Sequence, residues 1–186
     1  MCHHLPRAGG PPPDPAEMEA TMHLRTSIAA LVVFAMGSTG AYAQEGTATG
    51  TFTVNGKAAT LAYAYATAEP DAAEKGKELV RVTLSDVKLT RAQLNFPFGL
   101  QADMKAGKVH AVVAEIKASR KVLNMMLYDQ AFKADLVSMA GGSNKFEGTI
   151  DANTVSGKLY RSSPGDSNGV KYDFSATFSA PIQRTQ

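Results

Sequence analysis

Apolar and polar residues alternate along much of this chain, most clearly near its C-terminus. In the stretch VKYDFSATFSA, residues 170–180, every second position from Val170 to Ala180 is apolar, and Lys, Asp, Ser or Thr fills the positions between them. This period of two is typical of an antiparallel strand with one buried and one solvated face. The pattern predicts a long strand that ends at Pro181, since proline cannot donate a ladder hydrogen bond.

Turn residues separate further stretches of the same kind into hairpins. Asn55-Gly56 suits the positive φ angles of a type I′ turn, and residues 151–153 form the turn of a second hairpin. KVHAVVAEIK is apolar on both faces, which predicts a central strand. Gly148 and Gly157, inside the second hairpin, indicate bulges or a close approach of two backbones.

These patterns predict about eight strands and little helix. The expected strands are residues 48–55, 58–67, 78–84, 108–117, 121–128, 144–150, 154–161 and 170–180, and the expected short helices are residues 98–106 and 128–139. Many strands joined by polar turns indicate an all-β fold. We expect an antiparallel β-sandwich, with a small closed β-barrel as the alternative and one or two short helices in the loops.

The most apolar segment precedes this domain. Residues 28–36 are apolar but too short for a membrane span, which needs about 20 residues. With Arg25 before them and Ala-Tyr-Ala after, residues 22–43 fit a signal peptide cleaved before Gln44. The proline-rich residues 1–21 are expected to be a disordered extension or a start assigned too early, with Met22 as the true start. Residues 44–186 then form one exported domain, periplasmic or secreted, with no transmembrane segment after cleavage.

The composition of that domain argues against some kinds of partner and site. The formal charge is +2, from 19 Lys and Arg against 17 Asp and Glu, and the basic residues are scattered. This distribution does not indicate a nucleic-acid partner. The single Cys and three of the four His precede residue 44, which leaves His110 alone. A Cys/His zinc site is therefore excluded from the mature domain, and no metal or cofactor is predicted.

The lengths of the connections point to one end of the domain as the binding end. If neighbouring strands pair as a meander, the Asn55-Gly56 turn and the connections at residues 85–107, 129–143 and 162–169 all lie at the same end. Long loops on a rigid sheet are where binding groups usually lie. The candidate binding residues there are Asp86, Arg91, Phe96, Phe98, Tyr128, Asp129 and Arg161.

Each candidate also has an ordinary structural explanation. Asp86 could end a strand, Thr90 could cap a short helix, and the two Phe residues could close the core. Arg161 could form a surface ion pair of small energy. His110 alternates with the apolar residues Val112, Ala114 and Ile116, which favours a sheet histidine with satisfied hydrogen bonds over a catalyst.

Three stretches, LVRVTLSDVKL, VSGKLY and YDFSATFSAPI, resemble those of uncharacterised exported bacterial all-β proteins. The resemblance implies an exported all-β domain and brings no catalytic residue with it. Our leading hypothesis is a non-enzymatic domain that binds a protein partner through its loop-rich end. It would need an exposed apolar patch around Phe96 and Phe98.

Two other functions stay open. A carrier of a small apolar ligand would need an internal cavity; its expected lining is Tyr63, Tyr65, Met104, Met125, Met126 and Met139. A carboxylate-based hydrolase would need two titratable groups that converge in a cleft, with Asp86, Asp129 or His110 among them. No Gly-x-Ser-x-Gly motif is present, so a serine triad of the hydrolase type is not predicted.

Overall fold

A computed structural model describes residues 44–95, 98–133, 137–140 and 142–184, and of residues 137–140 the backbone alone. The strands join one curled, mainly antiparallel sheet that forms a half-barrel. The strands are β1 Gly46–Val54, β2 Lys57–Pro70, β3 Glu78–Ser85, β4 Ala111–Lys117, β5 Val122–Tyr128, β6 Val137–Ala140, β7 Asn144–Ile150, β8 Thr154–Arg161, β9 Gly165–Ser167 and β10 Val170–Arg184. The predicted extension and signal peptide lie outside the described residues.

The order of the strands combines a meander with one inserted strand. β1 to β6 lie side by side in chain order, and β10 pairs with the free side of β1. β8 and then β7 follow β10, while the short β9 pairs with the beginning of β10. The last strand of the chain therefore lies between the first strand and the second hairpin.

The enclosed face of the curl holds the main core. Every second residue of β10 from Tyr172 to Ala180 is buried there, as the alternation requires. Phe52, Leu61 and Met125 from other strands are also almost inaccessible. Burying such side chains stabilises the fold by about 1.5–3 kcal/mol each.

A second cluster covers the outer face of β2 to β5. It forms because the described residues of the β3–β4 connection, 86–95 and 98–109, fold back along the outside of the sheet and include the short helix α1, Gln101–Lys105. Leu89, Leu100 and Met104 from this connection pack on Val113 and Met126 of the sheet. The double-sided apolar pattern of β4 therefore corresponds to burial on both faces.

The all-β class is confirmed, and the predicted short helix over residues 98–106 corresponds to α1, Gln101–Lys105. The meander β1–β6 and the second hairpin, β7 and β8, belong to one curled sheet. Side chains from both parts pack together in the inner core. The strand that was expected to end at Pro181 continues to Arg184. Pro181 lies where β10 leaves β1 and begins to pair with β2, so its missing N–H falls at a change of partner.

The predicted helix over residues 128–139 is wrong. Tyr128 belongs to β5, Gln130–Phe132 form a 3-10 helix, and Val137–Ala140 form β6, while residues 134–136 lie outside the described part. Tyr63 and Tyr65 of β2 face the outer cluster, whereas Leu61 of the same strand lies in the inner core. The register between β1 and β2 shifts between Thr47 and Gly50, where the regular alternation is interrupted.

The predicted close approach of two backbones at Gly148 and Gly157 is confirmed. The two glycines are direct partners across β7 and β8. A Cβ atom on either residue would overlap the backbone of the opposite strand. Gly157 also has a φ of +149°, which L-residues with side chains rarely adopt.

Replacing Gly157 with Ala should therefore lower the free energy of unfolding by about 1–3 kcal/mol, through backbone strain and steric overlap. Urea unfolding followed by circular dichroism measures the change. Ser179→Ala, at an exposed position of the adjacent strand β10, is the matched control and should change stability by less than about 0.5 kcal/mol. Equal stability of Gly157→Ala and the wild type would contradict the described packing.

Candidate functional site

Three connections line a pocket at one end of the half-barrel, with a volume of about 310 Å³. They are the β1–β2 turn, the β3–β4 connection and the beginning of the β5–β6 connection. The lining residues are Val54, Asn55, Lys57, Ala58, Ala59, Asp86, His110, Asp129, Gln130 and Ala131. The β8–β10 connection leads to the same end, since Asn55 N–H donates to the carbonyl of Lys171 at 2.8 Å. Parts of the connections that were expected to share one end therefore meet here.

Asp86 holds His110 at two points. One carboxylate oxygen, Oδ1, accepts the backbone N–H of His110 at 2.8 Å, and Oδ2 lies 2.7 Å from the ring nitrogen Nδ1. An ionised carboxylate can only accept hydrogen bonds, so Nδ1 carries the hydrogen. The arrangement fixes both the orientation of the imidazole and its tautomer.

Asp129 faces the other side of the ring. Its Oδ1 accepts the backbone N–H of Ala131 at 2.8 Å and so caps the 3-10 helix that follows β5. Its Oδ2 lies 3.6 Å from Nε2 of His110. Asp129 is only 9% exposed, so this cap places a nearly buried carboxylate against the imidazole.

The gap between Nε2 and Asp129 Oδ2 lacks a hydrogen-bond donor when His110 is neutral. With the hydrogen on Nδ1, Nε2 presents a lone pair toward a carboxylate oxygen, and 3.6 Å is longer than a direct hydrogen bond. Two acceptors that face each other are stabilised by a donor between them, such as a proton on the ring, a water or an N–H of a ligand. The site is therefore an acceptor pair in an open pocket, with exposed Lys57 at its rim.

The structure brings two of the candidate binding residues together, Asp86 and Asp129, and joins them through His110. Arg91 lies in a different groove, on the outer face of the sheet. Tyr128 belongs to the outer cluster.

The remaining candidates lie away from the acceptor pair. The guanidinium carbon of Arg161 is 4.8 Å from the ring centre of Tyr172, and its Nη1 donates to Asn144 at 2.8 Å. Phe98 is 67% exposed, while Phe96 lies outside the described residues.

His110 was expected to be a satisfied sheet histidine, and its Nδ1 is indeed satisfied by Asp86. What sequence reasoning missed is the central position of His110 between two carboxylates. A signal was present: Asp86 follows β3 and Asp129 follows β5, on either side of β4, which His110 precedes. In an antiparallel meander these three positions fall at the same end of adjacent strands.

Other features bear on the possible chemistry. In the described part of the chain, no three His, Cys, Asp or Glu side chains are arranged to hold a metal ion. Within the same residues, no helix has the length and apolar character needed to cross a membrane. The residues that line the pocket include no Ser, Thr or Cys that could act as a nucleophile.

Comparison of the chain with protein-family models, curated proteins and solved structures gives no match. The resemblance to exported bacterial proteins therefore stays a prediction. The geometry of the pocket is therefore the guide to function.

The ionisation of the Tyr128 hydroxyl tests whether the outer cluster is buried. Burial raises the pKa of the Tyr128 hydroxyl to about 12, while the charge of Arg81 acts in the opposite direction. The pKa of Tyr65 in the same cluster is also raised, again because of burial. Both hydroxyls are therefore held neutral at pH values where an exposed tyrosine ionises.

The free energy of unfolding should fall between the ordinary tyrosine pKa of 10.0 and about 12, because only the unfolded chain releases the Tyr128 proton in that range. Below pH 10.0 this contribution to stability is complete. Tyr128→Phe should lose less stability than the wild type on going from about pH 9 to about pH 11, as measured by urea unfolding. An equal loss of stability in Tyr128→Phe and the wild type over this range would contradict the burial of Tyr128.

Proposed function

We propose that this chain is an exported, non-enzymatic binding domain that acts through the pocket at its loop-rich end. The acceptor pair of His110 Nε2 and Asp129 Oδ2, 3.6 Å apart, carries the proposal. A ligand group with N–H donors and a positive charge satisfies both acceptors at once. A protonated amine, such as a lysine side chain of a partner protein, has this chemistry.

The pocket supports such a ligand in its charge and in its shape. Asp86 and Asp129 contribute two carboxylates, and the first holds the imidazole in the tautomer that accepts. Ala58, Ala59 and Ala131 leave space above the pair and give an apolar wall for the methylene groups of a lysine. The exposed Phe98 lies on the outer connection and offers a separate apolar contact for a partner protein.

The binding of an amine can be tested with Nα-acetyl-lysine amide as the probe and Nα-acetyl-norleucine amide, which lacks the amine, as its match. We expect the first alone to shift the ¹⁵N resonances of the His110 ring, which belong to the only histidine after residue 43. Asp129→Asn keeps an oxygen that can cap Ala131 but removes the charge, and it should weaken binding by about tenfold or more.

Lys57→Gln is matched to Asp129→Asn, since it also removes one charge from the pocket, but it should have the opposite effect on amine binding. It removes the cation at the rim of the pocket and should strengthen amine binding modestly, since like charges repel across a short distance. Equal binding of the two probes, or an unchanged affinity in Asp129→Asn, would overturn the proposal.

Export has its own test, which does not depend on the ligand. The intact mass of the protein recovered from its host's envelope or medium should correspond to a chain that begins at Gln44. Retention of Met1 in the recovered protein would overturn export, because a cleaved signal peptide leaves no upstream residues.

A hydrolase is the second candidate, and one observation favours it. Asp86 and His110 form a carboxylate–imidazole pair whose free nitrogen faces an open pocket, which suits a general base that activates water. A hydrolase of this kind would lose its activity in His110→Gln, whereas amine binding through Asp129 would be weakened only in part.

The carrier has less support. The residues expected to line its cavity are divided between two packed clusters: Met125 lies in the inner core, while Tyr63, Tyr65, Met104 and Met126 belong to the outer cluster. The side chain of Met139 is outside the described part. We therefore do not propose an apolar ligand in the interior.

A further inference from the structure

A second recess lies on the outer face of the sheet, near the far ends of β2 and β10. It is an open groove of about 870 Å³. Its lining residues are Gln44, Thr67, Glu69, Arg81, Arg91, Leu94, Asn95, Ile182, Gln183 and Arg184. Most of them carry planar amide, carboxylate or guanidinium groups, while Leu94 and Ile182 supply apolar surface.

The β2 backbone beneath this groove has no free edge. Residues 66–68 of β2 pair with β3 on one side and with residues 182–184 of β10 on the other. An added peptide strand would find no unpaired ladder groups there. Recognition in the groove therefore depends on side chains.

Arg91 enters the groove from a turn that is held rigid. Thr90 and Gln93 bond reciprocally: Gln93 Oε1 accepts the backbone N–H of Thr90 at 2.8 Å, and Thr90 Oγ1 accepts the N–H of Gln93 at 3.3 Å. Gln93 also donates to Asp103 at 2.7 Å, which ties the turn to α1. This turn fixes the backbone of Arg91 before a ligand arrives, so less backbone entropy is lost on binding.

Arg91 is the unmatched charge of the groove. Arg81 is paired with Glu69 and Glu115, and Nε of Arg184 lies 3.8 Å from Glu78. Arg91, in contrast, forms no ion pair or hydrogen bond with any of the described residues. An exposed arginine does not require a partner, but this one stands among side-chain amides in a recess large enough for an extended ligand.

We propose that this groove binds a saccharide that carries carboxylate groups, such as an oligomer of uronic acid. Arg91 would take one carboxylate in a bidentate pair. Asn95 offers an amide group for hydroxyls, and Gln183, whose Nε2 donates to the carbonyl of Gln44 at 3.0 Å, offers its amide oxygen. The half-buried Leu94 and Ile182 offer their remaining surface for the C–H faces of the sugar rings. The groove shares no lining residue with the pocket that holds the acceptor pair. Binding of a saccharide there does not depend on the proposed amine ligand.

The test is an NMR titration of the full domain at low salt with trigalacturonate, and with a neutral galactose trisaccharide of the same length. We expect trigalacturonate to shift the amide resonances of Arg91, Asn95 and Gln183, and the neutral trisaccharide to bind at least about tenfold more weakly. Arg91→Gln should weaken trigalacturonate binding by about tenfold or more. Arg91→Lys should recover only part of the affinity, because it keeps the charge and loses the planar fork.

Lys108→Gln is the matched control, since it removes an exposed cation from the same connection but outside the groove. It should leave binding unchanged. Three results would overturn the proposal: equal binding of the neutral trisaccharide, an equal loss in Lys108→Gln, or tighter binding of a hexaglutamate peptide, which would indicate attraction to charge alone or a peptide ligand.

Discussion

One buried hydrogen bond ties the outside of this domain to its sheet. The hydroxyl of Tyr65, a residue only 2% exposed, accepts the backbone N–H of Leu89 at 2.8 Å. Leaving that N–H buried without a partner would cost about 1–3 kcal/mol. The hydrogen bond therefore fixes the β3–β4 connection against Tyr65 of β2. Three residues before this point the chain places Asp86 beside His110, and two residues after it Arg91 enters the outer groove. Both recesses therefore depend on the path that this bond sets.

The strands and turns could be predicted from the sequence because their causes are local. Asn55 and Gly56 have the positive φ angles that a tight hairpin requires, and β7 and β8 have the expected bounds. The alternation in β10 identifies its buried face correctly. Alternation and turn chemistry act over a few neighbouring residues, and they are visible without knowledge of the partner strand.

The outer cluster and the acceptor pair could not be predicted in the same way. Leu89, Leu100 and Met104 show no regular period, and their burial follows from the return of a long connection onto the sheet. Tyr128 has the alternation of a strand, yet which face it occupies depends on that connection. The pairing of Asp86 with His110 spans β3 and β4 and requires their register, which the sequence of either strand alone does not contain. The end at which the candidates gather was predictable, whereas their contacts were not.

The position of β10 has a consequence for how the chain acquires its structure. β10 is the last strand to be synthesised, yet it is the strand that joins β1 to β8 and, through its end, reaches β2. Its pairings with β1 span more than a hundred residues of sequence, a separation that slows folding because a large loop must close first. Until that strand is available, β1 and β8 each keep an unpaired edge, so the complete sheet forms only after β10 has been made. A chain cut short before β10 would therefore expose two open strand edges, which can pair with other chains.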